Sequence, residues 1–285
     1  MKLVTFEKDG RSAVGLLNAA GTAVHPVPGC ADMQTLIGIW PALDTAAVLR
    51  GEGLPLERVR LLAPIPRPVQ DVICLGMNYR DHAEESARYS ADAFTKSSTA
   101  AVYFSKRVSE AGKPDGVTPR HAGLTDRLDY EAELAVVLGK DARDVPAGQT
   151  RDYIFGYTIL NDVSARDVQT AHKQWYFGKS LDGFTPIGPC IVTADAFADY
   201  PPRLGIRSFV NGEKRQDSNT ALQIFDIDHV IAELSQGMTL KAGTIIATGT
   251  PAGVGMGMDP PQFLKPGDVV RCEIEGIGTL TNPVK

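Results

Sequence analysis

The sequence predicts a β-rich α+β fold in which a small N-terminal unit, residues 1–64, precedes a larger strand-rich one, residues 65–285. Three observations predict it. The chain opens with two apolar stretches joined by Lys8-Asp9-Gly10, which is hairpin chemistry. Beyond residue 68, short apolar runs bounded by glycine or polar residues outnumber segments with helical spacing. Between the two units lies Pro64-Ile65-Pro66-Arg67-Pro68, which stays extended because a proline disfavours helix in the residue before it. With 285 residues, 43% of them hydrophobic, the chain has material for a real core.

Taken in order, residues 3–6 and 13–17 form the first hairpin, and Ala20-Gly21 turns the chain again. Helical spacing follows at 33–39 and 43–50, then an extended piece at 59–62. Residues 72–75 read as a buried strand, and 80–88 as a helix carrying His82 and Glu85 three positions apart on one side. The next strands are 130–138 and 153–160. Ser164, with Asp167 three residues later, has the spacing of a cap opening a helix towards His172. Asn211-Gly212 tolerates the positive φ of a tight hairpin, and 227–234 shows helical spacing that ends before Gly237. Strands at 244–247 and 269–274 complete the C-terminal half. No internal repeat or low-complexity tract is present, which excludes a solenoid.

The net charge of -5, a pI near 5.6 and the lack of a basic stripe argue against a nucleic-acid surface. Cys30, Cys74, Cys190 and Cys272 are far apart and form no Cys-x-x-Cys pair, so reduced core residues are expected rather than a zinc knuckle or a disulfide framework. Glu7 and Asp9 interrupt the N-terminus where a signal peptide needs apolar residues, and no run is long enough to span a bilayer. A cytoplasmic protein without a membrane partner is the expectation.

The chemistry-bearing segments begin with Asp129-Tyr130-Glu131-Ala132-Glu133. In a strand, alternate residues share a face, so Glu131 and Glu133 would point the same way, and a third carboxylate from a neighbouring strand could meet them. Three converging carboxylates call for a cation, and oxygen-only ligation suits Mg²⁺, Mn²⁺ or Ca²⁺. The same alternation also describes a half-exposed strand with one wet face, so the segment by itself leaves both readings open. His82 is suited to proton transfer near neutral pH, with Glu85 to orient its ring; a surface helix carrying both by chance is the alternative. Lys179, between Gly178 and Ser180, could stabilise an enolate or hold a substrate carboxylate, or be an ordinary surface lysine. Thr248-Gly249-Thr250-Pro251-Ala252-Gly253-Val254-Gly255 offers backbone N–H groups and hydroxyls that could serve a carboxylate. Without a lysine after its last glycine, and without Rossmann spacing, it is no nucleotide loop.

Together these segments resemble the fumarylacetoacetate hydrolase family. The resemblance lies in Gly76-Met77-Asn78-Tyr79-Arg80-Asp81-His82 with Glu85, in Asp129-Tyr130-Glu131-Ala132-Glu133-Leu134, in Asn161-Asp162-Val163-Ser164-Ala165-Arg166-Asp167, in Gly178-Lys179-Ser180 and in Thr248-Gly249-Thr250-Pro251. It covers residue 68 to the C-terminus and, more weakly, the first sixty residues. The resemblance implies a catalytic domain of mixed β-strands, a roll or barrel-like sandwich, behind a small N-terminal domain and usually paired as a homodimer. It implies a divalent cation, Mg or Mn with Ca as a further option, on Glu131, Glu133 and Asp162. His82 and Glu85 match a water-activating dyad, and Lys179 a lysine near the reacting enolate. Arg166 and Thr250 match positions that hold substrate oxygens, and Tyr79 joins them as a substrate-binding residue. The stretch 86–108 is expected to shape the variable part of the pocket.

On that resemblance the expected activity is metal-dependent hydrolysis of a carbon–carbon bond in a β-diketo acid of the acylpyruvate type. The ion would stabilise the departing enolate while His82, oriented by Glu85, takes a proton from water. The alternatives are decarboxylation of a β-keto acid such as oxaloacetate, isomerisation or hydration of a related keto acid, and, further off, a protein that binds a metal or a keto acid without turnover. Ser164 and Ser180 lack a Gly-x-Ser-x-Gly elbow, and the cysteines lie in apolar runs, which disfavours a serine or cysteine nucleophile.

Overall fold

A computed structural model describes residues 1–89 and 100–285. Of the 86–108 stretch expected to shape the pocket, 90–99 therefore lie outside the described residues. Local chemistry accounts for the first elements. Strands Lys2–Lys8 and Arg11–Leu17 pair down to Lys8↔Arg11, and Asp9 and Gly10 turn between them with φ of 51° and 74°, as a two-residue hairpin requires. Helix Met33–Ile39 starts on Asp32, which accepts the Thr35 N–H at 2.7 Å. Helix Thr45–Arg50 starts later than the expected residue 43, because Asp44 is its cap and accepts the Ala47 N–H at 2.9 Å.

One large mixed sheet runs through the molecule. From one edge it passes through Leu54–Pro55, Ala23–Pro26, Arg11–Leu17, Lys2–Lys8, Ile187–Thr193, Ile154–Asn161, Ala132–Leu138, Ile245–Ala247, Val72–Gly76 and Val102–Lys106. Ile245–Ala247 and Val72–Gly76 run parallel, and the other neighbours are antiparallel. A four-stranded sheet, Glu213–Asn219, Gly205–Val210, Val269–Ile274 and Gly278–Pro283, covers one side. Its hairpin turns at Asn211 and Gly212, with φ of 53° and 84°. Among the described residues the large sheet forms no closed barrel. It curls nonetheless, since Lys106 on its last strand reaches Asp162 at the end of Ile154–Asn161.

The core follows the period of two. Along Ala132–Leu138, residues Leu134, Val136 and Leu138 pack with Ile206, Val270 and Ile274 of the four-stranded sheet. Ala135 and Val137 face the other way, towards Met33, Leu36 and Ile37. The strand is thus buried on both faces, and the wet-strand reading fails: Glu131 is 5% exposed and Glu133 1%. The four cysteines are free and buried, as expected. No helix among the described residues is long and apolar enough to cross a membrane.

Two local expectations need correction. The strand placed at 130–138 is two strands, Leu128–Asp129 and Ala132–Leu138, broken at Tyr130 and Glu131. Asp129 folds back to accept the Tyr130 N–H at 2.9 Å, which diverts the chain from a straight ladder. Ser164 does not cap a helix. It lies in the short strand Ser164–Ala165 paired with Leu128–Asp129, its hydroxyl donates to Asp162 O at 2.9 Å, and helix Arg166–Ala171 begins without a side-chain cap.

Candidate active site

Strand register builds the acidic centre. Leu160 stands opposite Glu133 and Asn161 opposite Ala132, and the ladder continues past the strand ends as Asp162 N–H donates to Glu131 O at 2.9 Å. Asn161 Oδ1 accepts the Glu131 N–H at 3.0 Å. Glu131, Glu133 and Asp162, all buried, thereby bring one carboxylate oxygen each within 4.8 Å of the others. On the far side of Ala132–Leu138, strand Ile245–Ala247 leads to Gly249, whose N–H donates to Glu133 Oε2 at 2.8 Å. The glycine turn expected to serve a ligand carboxylate here serves one of the protein's own.

Cations surround two of the three acids. Lys179 Nζ donates to Glu131 Oε2 at 2.8 Å and to Asp162 Oδ2 at 2.6 Å, while Lys106 bonds Asp162 Oδ1 and donates to Val163 O at 3.1 Å. Arg166 Nη1 meets Glu131 Oε1 at 2.7 Å, and its Nε meets Asp129 Oδ2 at 2.9 Å. Glu133 makes no ion pair among the described residues. The consequences oppose each other. Burial pushes both glutamates up, but Lys179 and Arg166 overcome it at Glu131 and hold that carboxyl well below the usual range. At Glu133 burial is reinforced by Asp162 and Glu131, and the carboxyl is pushed well above it. Burial lowers the Lys106 ammonium, whereas Asp162 and Glu131 outweigh burial at Lys179 and raise it.

A divalent cation fits this donor set. Glu131, Glu133 and Asp162 form an all-oxygen group, and Glu133 lacks the positive partner that its buried charge needs. The acidic triad is thus a set of ligands suited to a hard metal.

His82 and Glu85 form a second group, with His82 on the same cavity as Glu131. On helix Arg80–Tyr89, His82 Nδ1 and Glu85 Oε2 are 2.9 Å apart, and Glu85 Oε1 accepts the Gly253 N–H at 3.0 Å. Asn78 ties the start of this segment down, donating to Thr248 O at 2.8 Å and Phe225 O at 2.9 Å. His82, Glu131, Arg166, Lys179 and Thr250 line one cavity of about 20 Å³, with Trp175 and Phe104 as an edge-to-face apolar side. Gly76 is needed there, since a Cβ would stand 2.2 Å from the Trp175 ring. A far larger cleft of about 640 Å³, beside Arg120, Arg215 and Phe263, shares none of these residues.

Of the sequence candidates, Glu85, Glu133, Asp162 and Tyr79 are not among the residues that line the cavity. Tyr79 is fully buried and forms an isolated bridge with Gln223, and burial together with the Glu133 charge raises its hydroxyl pKa. The Thr250 hydroxyl is engaged on both sides, donating to Ala132 O at 2.9 Å and accepting from Gln216 at 2.7 Å. Sequence reasoning missed Lys106 and Asp129. Asp129 shares the odd-numbered alternation of Glu131 and Glu133, a signal that was available. Lys106 falls in the 86–108 stretch expected to shape the pocket, but only the curl of the sheet brings it to Asp162.

These features define a metal-dependent enzyme on a β-rich α+β scaffold with a small N-terminal domain. The chain belongs to the fumarylacetoacetate hydrolase family: the model described as fumarylacetoacetate (FAA) hydrolase C-terminal matches residues 71–285, and that described as Rv2993c-like, N-terminal, matches residues 1–64. Oxaloacetate tautomerase YisK of Bacillus subtilis (strain 168) is 46% identical over 235 residues, covering 80% of this chain and 74% of that protein. A fumarylacetoacetate hydrolase from psychrophilic Exiguobacterium antarcticum superposes with a TM-score of 0.87 at 42% identity, over 100% of this chain and 99% of that one. Maleylpyruvate hydrolase from Sphingobium sp. SYK-6, solved in complex with manganese(II) ion and pyruvate, gives 0.78 at 30% identity, over 100% and 98%.

Proposed function

We propose that this chain is a metal-dependent keto acid isomerase that interconverts the keto and enol forms of oxaloacetate or a close 3-carboxy-2-oxo acid. The observation that carries the reading is that His82, bonded to Glu85 at 2.9 Å, lines the same cavity as Glu131, Arg166 and Lys179. Isomerisation takes precedence over the carbon–carbon hydrolysis expected first because a tautomerase is among the relatives at 46% identity. It also asks least of these groups: one base that moves a proton, and no leaving group to expel.

A divalent cation, Mn²⁺ or Mg²⁺, held by Glu131, Glu133 and Asp162 would supply Lewis acidity towards the 2-oxo acid oxygens. Glu85 engages His82 Nδ1 and leaves Nε2 to take the proton from C3 of the keto form. The Lys179 ammonium stabilises the negative charge that develops on the C2 oxygen, and the enol is complete when that oxygen takes a proton from solvent and His82 gives the C3 proton back to solvent. Arg166, anchored on Asp129 and Glu131, orients a substrate carboxylate. In the reverse direction His82 returns the proton to C3. The enzyme acts as a cytoplasmic homodimer in this reading. Its unit boundary falls between residues 64 and 65, in keeping with family matches that end at 64 and resume at 71.

Hydrolysis of an acylpyruvate is the second reading, supported by the 30% identical maleylpyruvate hydrolase. One assay separates the two. With Mn²⁺ or Mg²⁺, the ultraviolet absorbance of enol-oxaloacetate is followed beside pyruvate release from a panel of acylpyruvates. Faster ketonisation without pyruvate release supports the isomerase. Pyruvate release that outpaces ketonisation sinks it.

A further inference from the structure

The loop 253–257 touches both walls of the site. Gly253 N–H donates to Glu85 Oε1 at 3.0 Å, and Gly257 packs so closely that an added Cβ would stand 2.2 Å from Glu85 Cδ. Between these contacts, Gly255 N–H and Met256 N–H donate to Asp129 Oδ1 and Oδ2 at 2.8 and 2.9 Å. Asp129 Oδ1 also accepts Tyr130 N–H, and Oδ2 accepts Arg166 Nε, both at 2.9 Å. Four donors thus converge on a carboxylate with no solvent exposure. A buried charge so completely bonded is a fixed point for every group attached to it.

We propose that Asp129 is a positioning residue that links Arg166 to the His82–Glu85 dyad through the loop 253–257. Asp129 sets Arg166 by its Nε, which leaves Nη1 for Glu131 and for Gln169 at 3.2 Å. The same carboxylate holds the loop against which Glu85 rests. A disturbance at Asp129 therefore reaches the dyad helix through the loop, and Glu131 through Arg166. The activity part of the test rests on the isomerase reading, and the exchange part does not.

The test is Asp129→Asn. Asparagine keeps one acceptor oxygen and replaces the other with a donating amide, so two of the four donors lose their acceptor. Amide hydrogen exchange, followed by mass spectrometry, should quicken about tenfold both in loop 253–257 and in helix Arg80–Tyr89. Turnover of oxaloacetate at saturating Mn²⁺ should fall about 10- to 100-fold in kcat, more than KM rises. Unchanged exchange in the helix overturns the link, as does an unchanged kcat at saturating Mn²⁺. If Asp129→Asn does not fold, Met256→Pro decides: it deletes the Met256 N–H that Asp129 Oδ2 accepts, leaves Asp129, Arg166 and Glu85 themselves unchanged, and should speed exchange in helix Arg80–Tyr89 and lower kcat. Wild-type exchange in that variant overturns the proposal. If the wild type proves inactive on oxaloacetate, the isomerase reading falls and the exchange results alone judge the role of Asp129.

Discussion

The carboxylate wall of the site is made from sheet and the dyad wall from a helix, and the two are held by different amounts of structure. Glu131, Glu133 and Asp162 hang on neighbouring strands whose ladder runs on through the site, with Lys106, Lys179 and Arg166 packed against them. His82 and Glu85 ride on the helix Arg80–Tyr89, fastened by Asn78 below and by Gly253 and Gly257 above. The contrast follows from charge. A buried carboxylate that drifts from its partner costs several kcal/mol, so the acidic wall needs backbone pinned on both sides. The proton-transfer role we propose for His82 needs one ring nitrogen in place, and a few bonds achieve that.

The largest effect expected is on the sheet wall. Glu131→Ala or Glu133→Ala should abolish Mn²⁺ binding by calorimetry and lower activity by at least about a thousandfold, since metal-ion catalysis contributes several kcal/mol. Full activity in metal-free buffer would erase the distinction between the walls. On the helix wall, His82→Ala should lower turnover by about 100- to 10,000-fold while Mn²⁺ binding stays intact. Loss of metal in that variant would show that the walls are not independent.

A smaller effect separates the two glutamates by pH. In the metal-free protein, burial with Asp162 and Glu131 raises the Glu133 carboxyl, so the folded state binds that proton more tightly than the unfolded chain does. Glu133 therefore destabilises the fold increasingly as pH rises above its ordinary value of 4.5, by at most about 1.4 kcal/mol per pH unit. Glu131 has the opposite sign: Lys179 and Arg166 overcome burial, so it adds stability above 4.5 that is lost as pH falls towards its depressed value. Melting temperatures of wild type and Glu133→Gln should diverge as pH rises, with the variant the more stable, and saturating Mn²⁺ should reverse their order. Parallel curves would contradict the assignment. Least of all, Asp32→Ala removes the cap of Met33–Ile39 and should cost about 1 kcal/mol in unfolding measurements with kcat unchanged, because the helix belongs to neither wall.

Much of this was legible before the chain was folded. Asp9-Gly10 and Asn211-Gly212 announce their hairpins because positive φ is a property of those residues and the turn alone. Met33–Ile39 and Val269–Ile274 were read at their observed bounds, and Val72–Gly76 nearly so, since period and local punctuation decide them. Ser164 misled because a capping pattern says nothing of a partner strand, and Leu128–Asp129 supplied one.

By itself, then, the sequence determined the elements that depend on neighbours in the chain, together with the order of the acidic, histidine and lysine segments by which the family is known. The tertiary structure decided which charges meet. Whether Glu131 and Glu133 lie in water or in the core, which of them gains Lys179 and Arg166, and whether Lys106 touches Asp162 are all set by strand register and sheet curl. The physical reason is range: propensity and turn chemistry act over a few residues, whereas Coulomb interaction and desolvation act through space between segments dozens of residues apart.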